Sequence, residues 1–259
     1  MKKLNSNGKE LNSKWKLRRR AVIPVFWVNG FSFSTIVPNF PWLQRKLELG
    51  EALTGLALFS PAIGAVSMML LTGRLIKRLG CRPLILLGSL LMQISLPLIL
   101  VMPSLTSMIP LLLLVGAATG MMDVAMNAQA AVLEHAYDRP IMSSFHANWS
   151  LGTLFGGASA SMMLGLGFTP FEHVALFSLI LILLVLACGR WLLPPDEDLY
   201  GTDVPVVAIP RGPVLALGLL ALLAMISEGA ASDWSAIYSR NVLEASPGEA
   251  AAIFTVFTL

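Results

Sequence analysis

The chain has 259 residues, of which 56% are hydrophobic and only 13% are charged, and its mean hydropathy is +0.74. Soluble domains carry about 25% charged residues, so this composition excludes an ordinary soluble globular protein. The net charge is only +3, and the two cysteines, Cys81 and Cys188, have no spacing typical of a metal or redox site.

The first 20 residues are basic and polar, and an apolar segment follows them directly. We predict a basic cytoplasmic tail over 1–20 and a first spanning helix over about 21–42. A cleaved signal peptide is the alternative, but the apolar segment contains Asn29 and Pro38 and shows no small-residue cleavage site. A basic tail beside a membrane helix is more simply a topology signal than a nucleic-acid surface, so no nucleic-acid partner is expected.

Six further apolar segments have about the 20 residues that a bilayer core requires. They span 52–73, 83–102, 107–132, 143–167, 173–193 and 213–238. The predicted fold class is therefore an all-α, polytopic membrane protein. An eighth apolar segment opens at Gly248 and stops at Leu259, which is too short to span the bilayer, so we expect a fragment or a prematurely ended product.

Basic residues are distributed unequally between the two sides of the predicted helices. Fifteen of the 18 Lys and Arg lie in the tail and in the loops on the same side as the N-terminus. The opposite side holds Arg45, Lys46 and Arg240. Because cytoplasmic loops carry the excess of Lys and Arg, we predict a cytoplasmic N-terminus. Interfacial aromatic residues are expected at Trp42, Trp191 and Tyr238.

A polar stretch, "PPDEDLYGTDVPVVAIPRGP" at 194–213, interrupts the apolar pattern after six helices. It predicts a six-helix bundle over 21–193, a cytoplasmic linker over 194–212, and the start of a second half over 213–259. The sequence then repeats itself: "NG" and "GEALTGLALF" before the linker correspond to "EG" and "GEAAAIFTVF" after it. This pattern indicates a parallel internal repeat.

The segment "GRLIKRLGCRPLILLG" at 73–88 carries a recognisable loop motif. Its positions Gly73, Leu75, Arg78, Gly80 and Arg82 resemble the conformational loop of the major facilitator superfamily, although Lys77 stands where that family usually has Asp. Gly73 and Gly80 are expected to allow a close helix approach and a tight turn. The resemblance covers 21–259.

Three further segments, "DVAMNAQAAVLE", "SFHANWSLGTLFGG" and "EGAASDWSAIY", look like a bacterial branch near the fucose-permease-like sugar transporters. The stretch "GTLFGGASAS" lacks the Gly-Pro pair of drug–proton antiporters, which counts against the alternative of drug efflux.

The resemblance implies a monomeric secondary transporter of a bacterial inner membrane that alternates access between two six-helix halves. It also implies that helices one, four and seven line a central cavity, with helix five beside it. The Asn, Gln, Trp and acid content of the expected cavity favours a small polar, sugar-like solute and H⁺ as its partners. The candidate substrate residues on these helices are Asn29, Asn127, His146, Trp149, Ser150, Asp233 and Trp234. Trp149 and Trp234 are either packing aromatics or stacking surfaces for a sugar, and His146 is expected to pack or gate.

Two acids, Asp123 and Glu228, lie well inside apolar helices, where a charge costs about 2.5–3.5 kcal/mol. Low dielectric favours the neutral form of an acid, so either residue could carry a proton during transport. The alternative is an internal hydrogen bond or ion pair that fixes helix packing. Asp123 shares a helix face with Gly116 and Gly120, a pair that lets another helix approach closely. Glu134, at the cytoplasmic end of this face, is expected to be solvated.

Enzyme functions are poorly supported. No zinc-protease motif occurs, and "GASAS" at 157–161 has Ser161 where a nucleophile elbow has its closing Gly. A glycine-rich phosphate loop is missing, so ATP is not the expected energy source, and neither metal nor cofactor is expected. A Ser150–His146 protease would lack an oxyanion hole. The alternative from another class is a non-transporting truncated remnant of a carrier, since alternating access needs both halves.

Overall fold

The computed structural model describes residues 8–197 and 210–257, and within these ranges the chain is helical and contains no strand. The described helices are α1 (Gly8–Ile36), α2 (Phe40–Lys46), α3 (Glu51–Leu79), α4 (Cys81–Val101), α5 (Leu105–Tyr137), α6 (Met142–Gly165), α7 (Pro170–Gly189), α8 (Pro213–Asn241) and α9 (Pro247–Phe257). Six described segments are long and apolar enough to cross a membrane: 13–46, which combines α1 and α2, and then α3, α4, α5, α7 and α8. The all-α, polytopic fold class is confirmed. The more polar α6 has 24 residues.

The first helix differs most from its predicted bounds. It begins at Gly8, inside the predicted tail, and ends at Ile36, where a 3₁₀ turn (Val37–Asn39) leads into α2. Pro38 lacks the N–H that a continuous helix needs, and Asn39 Nδ2 donates instead to the Thr35 carbonyl at 2.8 Å. Most of the predicted linker, 198–209, lies outside the described residues.

Helix ends are fixed by local hydrogen bonds. Thr169 and Glu172 form a reciprocal capping box at the start of α7. Glu134, expected to be solvated, instead accepts hydrogen bonds from the backbone N–H groups of Ile141 and Met142 at 2.8 and 2.7 Å. This carboxylate therefore caps the N-terminus of α6, where it also complements the helix dipole.

Two helix pairs form the centre of the bundle, and glycines bring each pair into backbone contact. A side chain at Gly116 on α5 would overlap the Pro61 carbonyl of α3, and one at Gly120 would lie 2.5 Å from the Ala65 carbonyl oxygen. A side chain at Gly152 on α6 would likewise overlap the Trp27 carbonyl of α1. The expectation that Gly116 and Gly120 admit a close helix is confirmed, and the helix is α3.

The N-terminal part of α1 binds the segment that follows α7, at the end of the bundle we call the linker end. Arg18 Nη1 donates to the carbonyls of Trp191 and Leu192 at 3.1 and 2.8 Å. Lys14 forms an ion pair with Glu197 at 2.7 Å. The basic residues of the predicted tail therefore also attach the start of the linker to the bundle.

Replacing Arg18 with Gln should destabilise this attachment, because a neutral amide cannot supply a charged donor to two carbonyls. Hydrogen bonds to a charged group contribute about 1.5–3 kcal/mol, so the melting temperature in detergent should fall by several degrees. The exposed Arg20 provides the control, and Arg20→Gln should leave the melting temperature unchanged. Equal melting temperatures for both variants would contradict the attachment.

Helices α8 and α9 meet the bundle at its opposite end, which we call the far end. There Asn241 Nδ2 donates to Gln44 Oε1 at 2.9 Å, and Ser161 Oγ donates to the Gly248 carbonyl at 2.9 Å. The first half of α8, 213–228, is exposed, and its buried residues begin at Ser232. Within the described residues, α8 is therefore buried only toward the far end.

Candidate functional site

A cavity of about 440 Å³ lies where α1, α6, α8 and α9 converge, and we call it the aromatic cavity. Its lining residues are Phe33, Trp149, Thr153, Met225, Glu228, Gly229, Ser232 and Phe257. The lining therefore combines three aromatic rings from three different helices with one acidic residue, Glu228. The rings of Phe33 and Trp149 lie 6.1 Å apart with an angle of 35° between their planes.

The Trp149 ring is held by Asn29. Trp149 Nε1 donates to Asn29 Oδ1 at 2.9 Å, and Asn29 is only 4% exposed. The bond is possible because Gly30 lets α1 approach the Trp149 backbone so closely that a side chain there would overlap the Trp149 carbonyl. The predicted candidates Asn29 and Trp149 are thus brought together, with Asn29 orienting the ring rather than lining the aromatic cavity.

A second cavity of about 270 Å³, the inner cavity, lies among α1, α3, α4, α5 and α8. Phe33 lines both cavities, and the polar residues of the inner cavity are Asn29, Ser32, Thr119 and Asp233. Gln93 Nε2 on α4 donates to Ser32 Oγ at 2.5 Å, and Gln93 is 1% exposed. The remaining lining is apolar, which places Asp233 at the edge of an apolar space.

The two proton-coupling candidates lie apart. Glu228 is exposed and lines the aromatic cavity. Asp123 is half-buried on α5, where Asn127 Nδ2 donates to its Oδ1 at 3.2 Å and to its backbone carbonyl at 2.9 Å. His146 on α6 lies within electrostatic reach of the Asp123 carboxylate. The structure therefore groups Asp123, Asn127 and His146, and we call this group the Asp123 cluster.

The remaining substrate candidates occupy different surroundings. Ser150 is exposed on α6 one turn after His146, and the His146 ring meets the Phe26 ring edge-on at 5.6 Å. Trp234 lies against Gly55 of α3, is 37% exposed, and lines neither of the two cavities described above. Trp234 therefore packs against α3 in this structure and stays a prediction as a substrate residue.

The loop motif forms the sharp connection between α3 and α4. Gly80 has a φ of +78°, and a side chain there would meet Pro195 of the linker start at 2.7 Å, so the expected tight turn is confirmed. Gly73 behaves differently, because no described atom lies within 4 Å of the position of a side chain there. The expectation of a close helix approach at Gly73 was wrong for the described residues.

Several cavity residues were not among the sequence candidates. Phe33, Thr153 and Phe257 line the aromatic cavity, and Gln93 supports Ser32 beside the inner cavity. Gln93 could have been found, since an amide in the middle of an apolar spanning helix is unusual. The aromatic residues carry no such signal, because Phe is common throughout membrane helices.

His173 also escaped notice. It is fully buried, and its Nε2 lies 3.0 Å from Ser159 Oγ between α7 and α6. Among the described residues, no three His, Cys, Asp or Glu side chains come close enough to hold a metal ion.

A helical bundle with membrane-length helices around cavities that contain acidic side chains defines a polytopic membrane protein. The family model of the Major Facilitator Superfamily matches residues 22–259, so the chain belongs to that family. The resemblance inferred from the loop motif is confirmed at this level.

Relatives with similar sequences are membrane proteins of bacteria. The chain is 34% identical over 234 residues to an uncharacterized MFS-type transporter of Yersinia pestis, covering 90% of this chain and 60% of that protein. It is 28% identical to an uncharacterized transporter of Sinorhizobium fredii and 29% identical to the membrane protein MosC of Rhizobium meliloti, covering 92% and 97% of this chain. The chain spans 63% and 61% of those two proteins.

Proposed function

We propose that the protein is a secondary active transporter of a small polar solute, driven by protons and working by alternating access between two halves. The observation that carries the proposal is the aromatic cavity, which contains a carboxylate at the junction of the bundle with α8 and α9. Those two helices meet the bundle at the far end, so the junction can open and close around the cavity.

Orientation in the membrane follows from the same geometry and the distribution of charge. The linker end carries the basic residues of α1 and of the α3–α4 connection, and the positive-inside rule assigns that end to the cytoplasm. The contacts of α8 and α9 with the bundle at the far end then lie between the aromatic cavity and the outside.

Proton coupling is assigned to the Asp123 cluster, with Glu228 as a second candidate. An acid inside a spanning segment is functional by default, because burying a charge there is costly. Asn127 gives the Asp123 carboxylate a hydrogen-bond donor on its own helix, and His146 on α6 lies near enough to interact with its charge. A proton bound to Asp123 would remove the charge in that group and so change the contact between α5 and α6.

The test is solute accumulation in proteoliposomes that contain the protein expressed from its complete reading frame. Radiolabelled D-galactose and 2-phenylethylamine are offered under an imposed pH gradient, and a pH-sensitive dye reports proton movement. We expect at least one solute to accumulate with simultaneous proton flux, and a protonophore to abolish the accumulation. Accumulation that does not depend on the pH gradient would overturn proton coupling. If neither solute is transported, the proposed function is overturned for these solutes.

A further inference from the structure

Among the described residues, the polar groups that line the aromatic cavity have almost no hydrogen-bond donors left for a ligand. The Trp149 ring N–H donates to Asn29. The Thr153 hydroxyl donates to the Ser150 carbonyl at 2.7 Å, and the Ser232 hydroxyl donates to the Gly229 carbonyl at 3.2 Å. What these described side chains still present is acceptors: two hydroxyl oxygens and the carboxylate of Glu228.

The aromatic part of the lining also favours one class of ligand, an organic cation. Phe33, Trp149 and Phe257 come from α1, α6 and α9, so a ligand in the cavity meets aromatic rings from three helices. The negative faces of aromatic rings attract a cation that lies within about 6 Å of the ring centre, and Trp is the most effective of them. Because Asn29 holds the Trp149 ring, that face is already oriented before a ligand enters.

From this lining we infer that the aromatic cavity binds a small organic cation, an amine with an apolar body, and the inference rests on the proposed transport function. The ammonium group donates to the Glu228 carboxylate and lies against the aromatic faces, while the apolar body packs beside Met225. A bound anion would be repelled by the Glu228 carboxylate, and the described side chains offer it almost no hydrogen-bond donors to offset this repulsion. A neutral sugar could donate its hydroxyl groups to these acceptors, but its ring and hydroxyl oxygens would find almost no donors in the described lining.

Asn29 is a positioning residue in this scheme. It contacts the Trp149 ring N–H and lines the inner cavity, so it acts on the ligand through the orientation of Trp149. Loss of the Asn29 side chain would leave a part-buried N–H without its acceptor and free the ring to turn. The preference for cations should therefore depend on Asn29 even though Asn29 does not line the aromatic cavity.

The experiment is equilibrium binding to the purified protein, expressed from its complete reading frame, in lipid nanodiscs. Four probes are titrated by calorimetry: 2-phenylethylamine, its neutral analogue 2-phenylethanol, the anion 3-phenylpropionate, and D-galactose. We expect 2-phenylethylamine to bind at least tenfold more tightly than each of the other three. Glu228→Gln should abolish that preference, whereas Glu244→Gln, at an exposed loop acid, should preserve it.

Two variants of Trp149 test whether an aromatic face is needed for the preference for the amine. Trp149→Phe keeps an aromatic face and should retain most of the preference for the amine. In Trp149→Leu the preference for the amine should fall several-fold, and in Asn29→Ala it should fall by an intermediate amount. Tighter binding of 2-phenylethanol or D-galactose, an unaltered preference in Glu228→Gln, or no binding of 2-phenylethylamine would each overturn the inference. If D-galactose accumulates with protons in proteoliposomes, the proposed transport function holds and the cation inference fails. A failure of the cation inference can therefore be distinguished from a failure of the transport function.

Discussion

Replacing Asp123 with Asn is expected to abolish proton-driven accumulation of solute, lowering it at least tenfold to the level of empty liposomes. Asn has nearly the same shape as Asp and can still accept a hydrogen bond from Asn127, but it cannot bind and release a proton. The packing of α5 should therefore survive while the coupling is lost. Proteoliposome uptake under an imposed pH gradient measures the effect, and the amount of inserted protein is compared by quantitative gel analysis.

The matched control is Asp138→Asn on the connection between α5 and α6. Asp138 is exposed and has a φ of +52°, a left-handed conformation that Asn adopts as readily as Asp. This variant should transport like the unchanged protein. Solute exchange without a pH gradient offers a second readout: if Asp123 carries the proton, exchange should persist in Asp123→Asn even though accumulation fails. Undiminished accumulation in that variant would rule out the assigned role.

The positions of the spanning helices could be predicted from the sequence because they depend mainly on length and apolar composition. The predicted helix at 83–102 corresponds to α4, Cys81–Val101, and the one at 173–193 corresponds to α7, Pro170–Gly189. The first helix was predicted less well. Its basic N-terminal residues do not look like membrane sequence, yet α1 continues through them because they bind the linker start.

The candidate site was predicted only in part, because side-chain partners depend on how helices cross. Asn29 and Trp149 were both candidates, but they are 120 positions apart, and their hydrogen bond requires the close crossing at Gly30. Phe33 has no polar signature that would distinguish it from lipid-facing Phe. Trp234 was predicted as either a packing aromatic or a stacking surface, and its position on α8 places it against Gly55 of α3.

Mutation of two glycines can decide whether a helix approach predicted from the sequence occurs in the protein. Gly116 and Gly73 both lie within spanning helices, and the sequence suggested a close helix approach at each. At Gly116 the Pro61 carbonyl occupies the space of a side chain, whereas the space at Gly73 is open. Backbone contact of this kind allows van der Waals packing between helices that have no hydrophobic driving force in lipid.

Gly116→Ala should therefore lower the free energy of unfolding by about 1–3 kcal/mol, since the new methyl group must push α5 and the α3 backbone apart. Gly73→Ala should be neutral or stabilising by up to about 1 kcal/mol, because Ala favours the helix and meets no described atom. Thermal unfolding of both variants in the same detergent, followed by tryptophan fluorescence, measures the difference.

A melting temperature for Gly116→Ala equal to that of Gly73→Ala would mean that α3 and α5 are not in backbone contact. The consequence reaches the Asp123 cluster, because Asp123 lies two turns after Gly116 on the same helix. If α5 gives way rather than α3, Asp123 shifts relative to His146 on α6, and proton-driven accumulation in Gly116→Ala should then fall as well. A variant that melts early yet accumulates solute normally would separate helix packing from coupling and show that the Asp123 cluster tolerates a shift of α5.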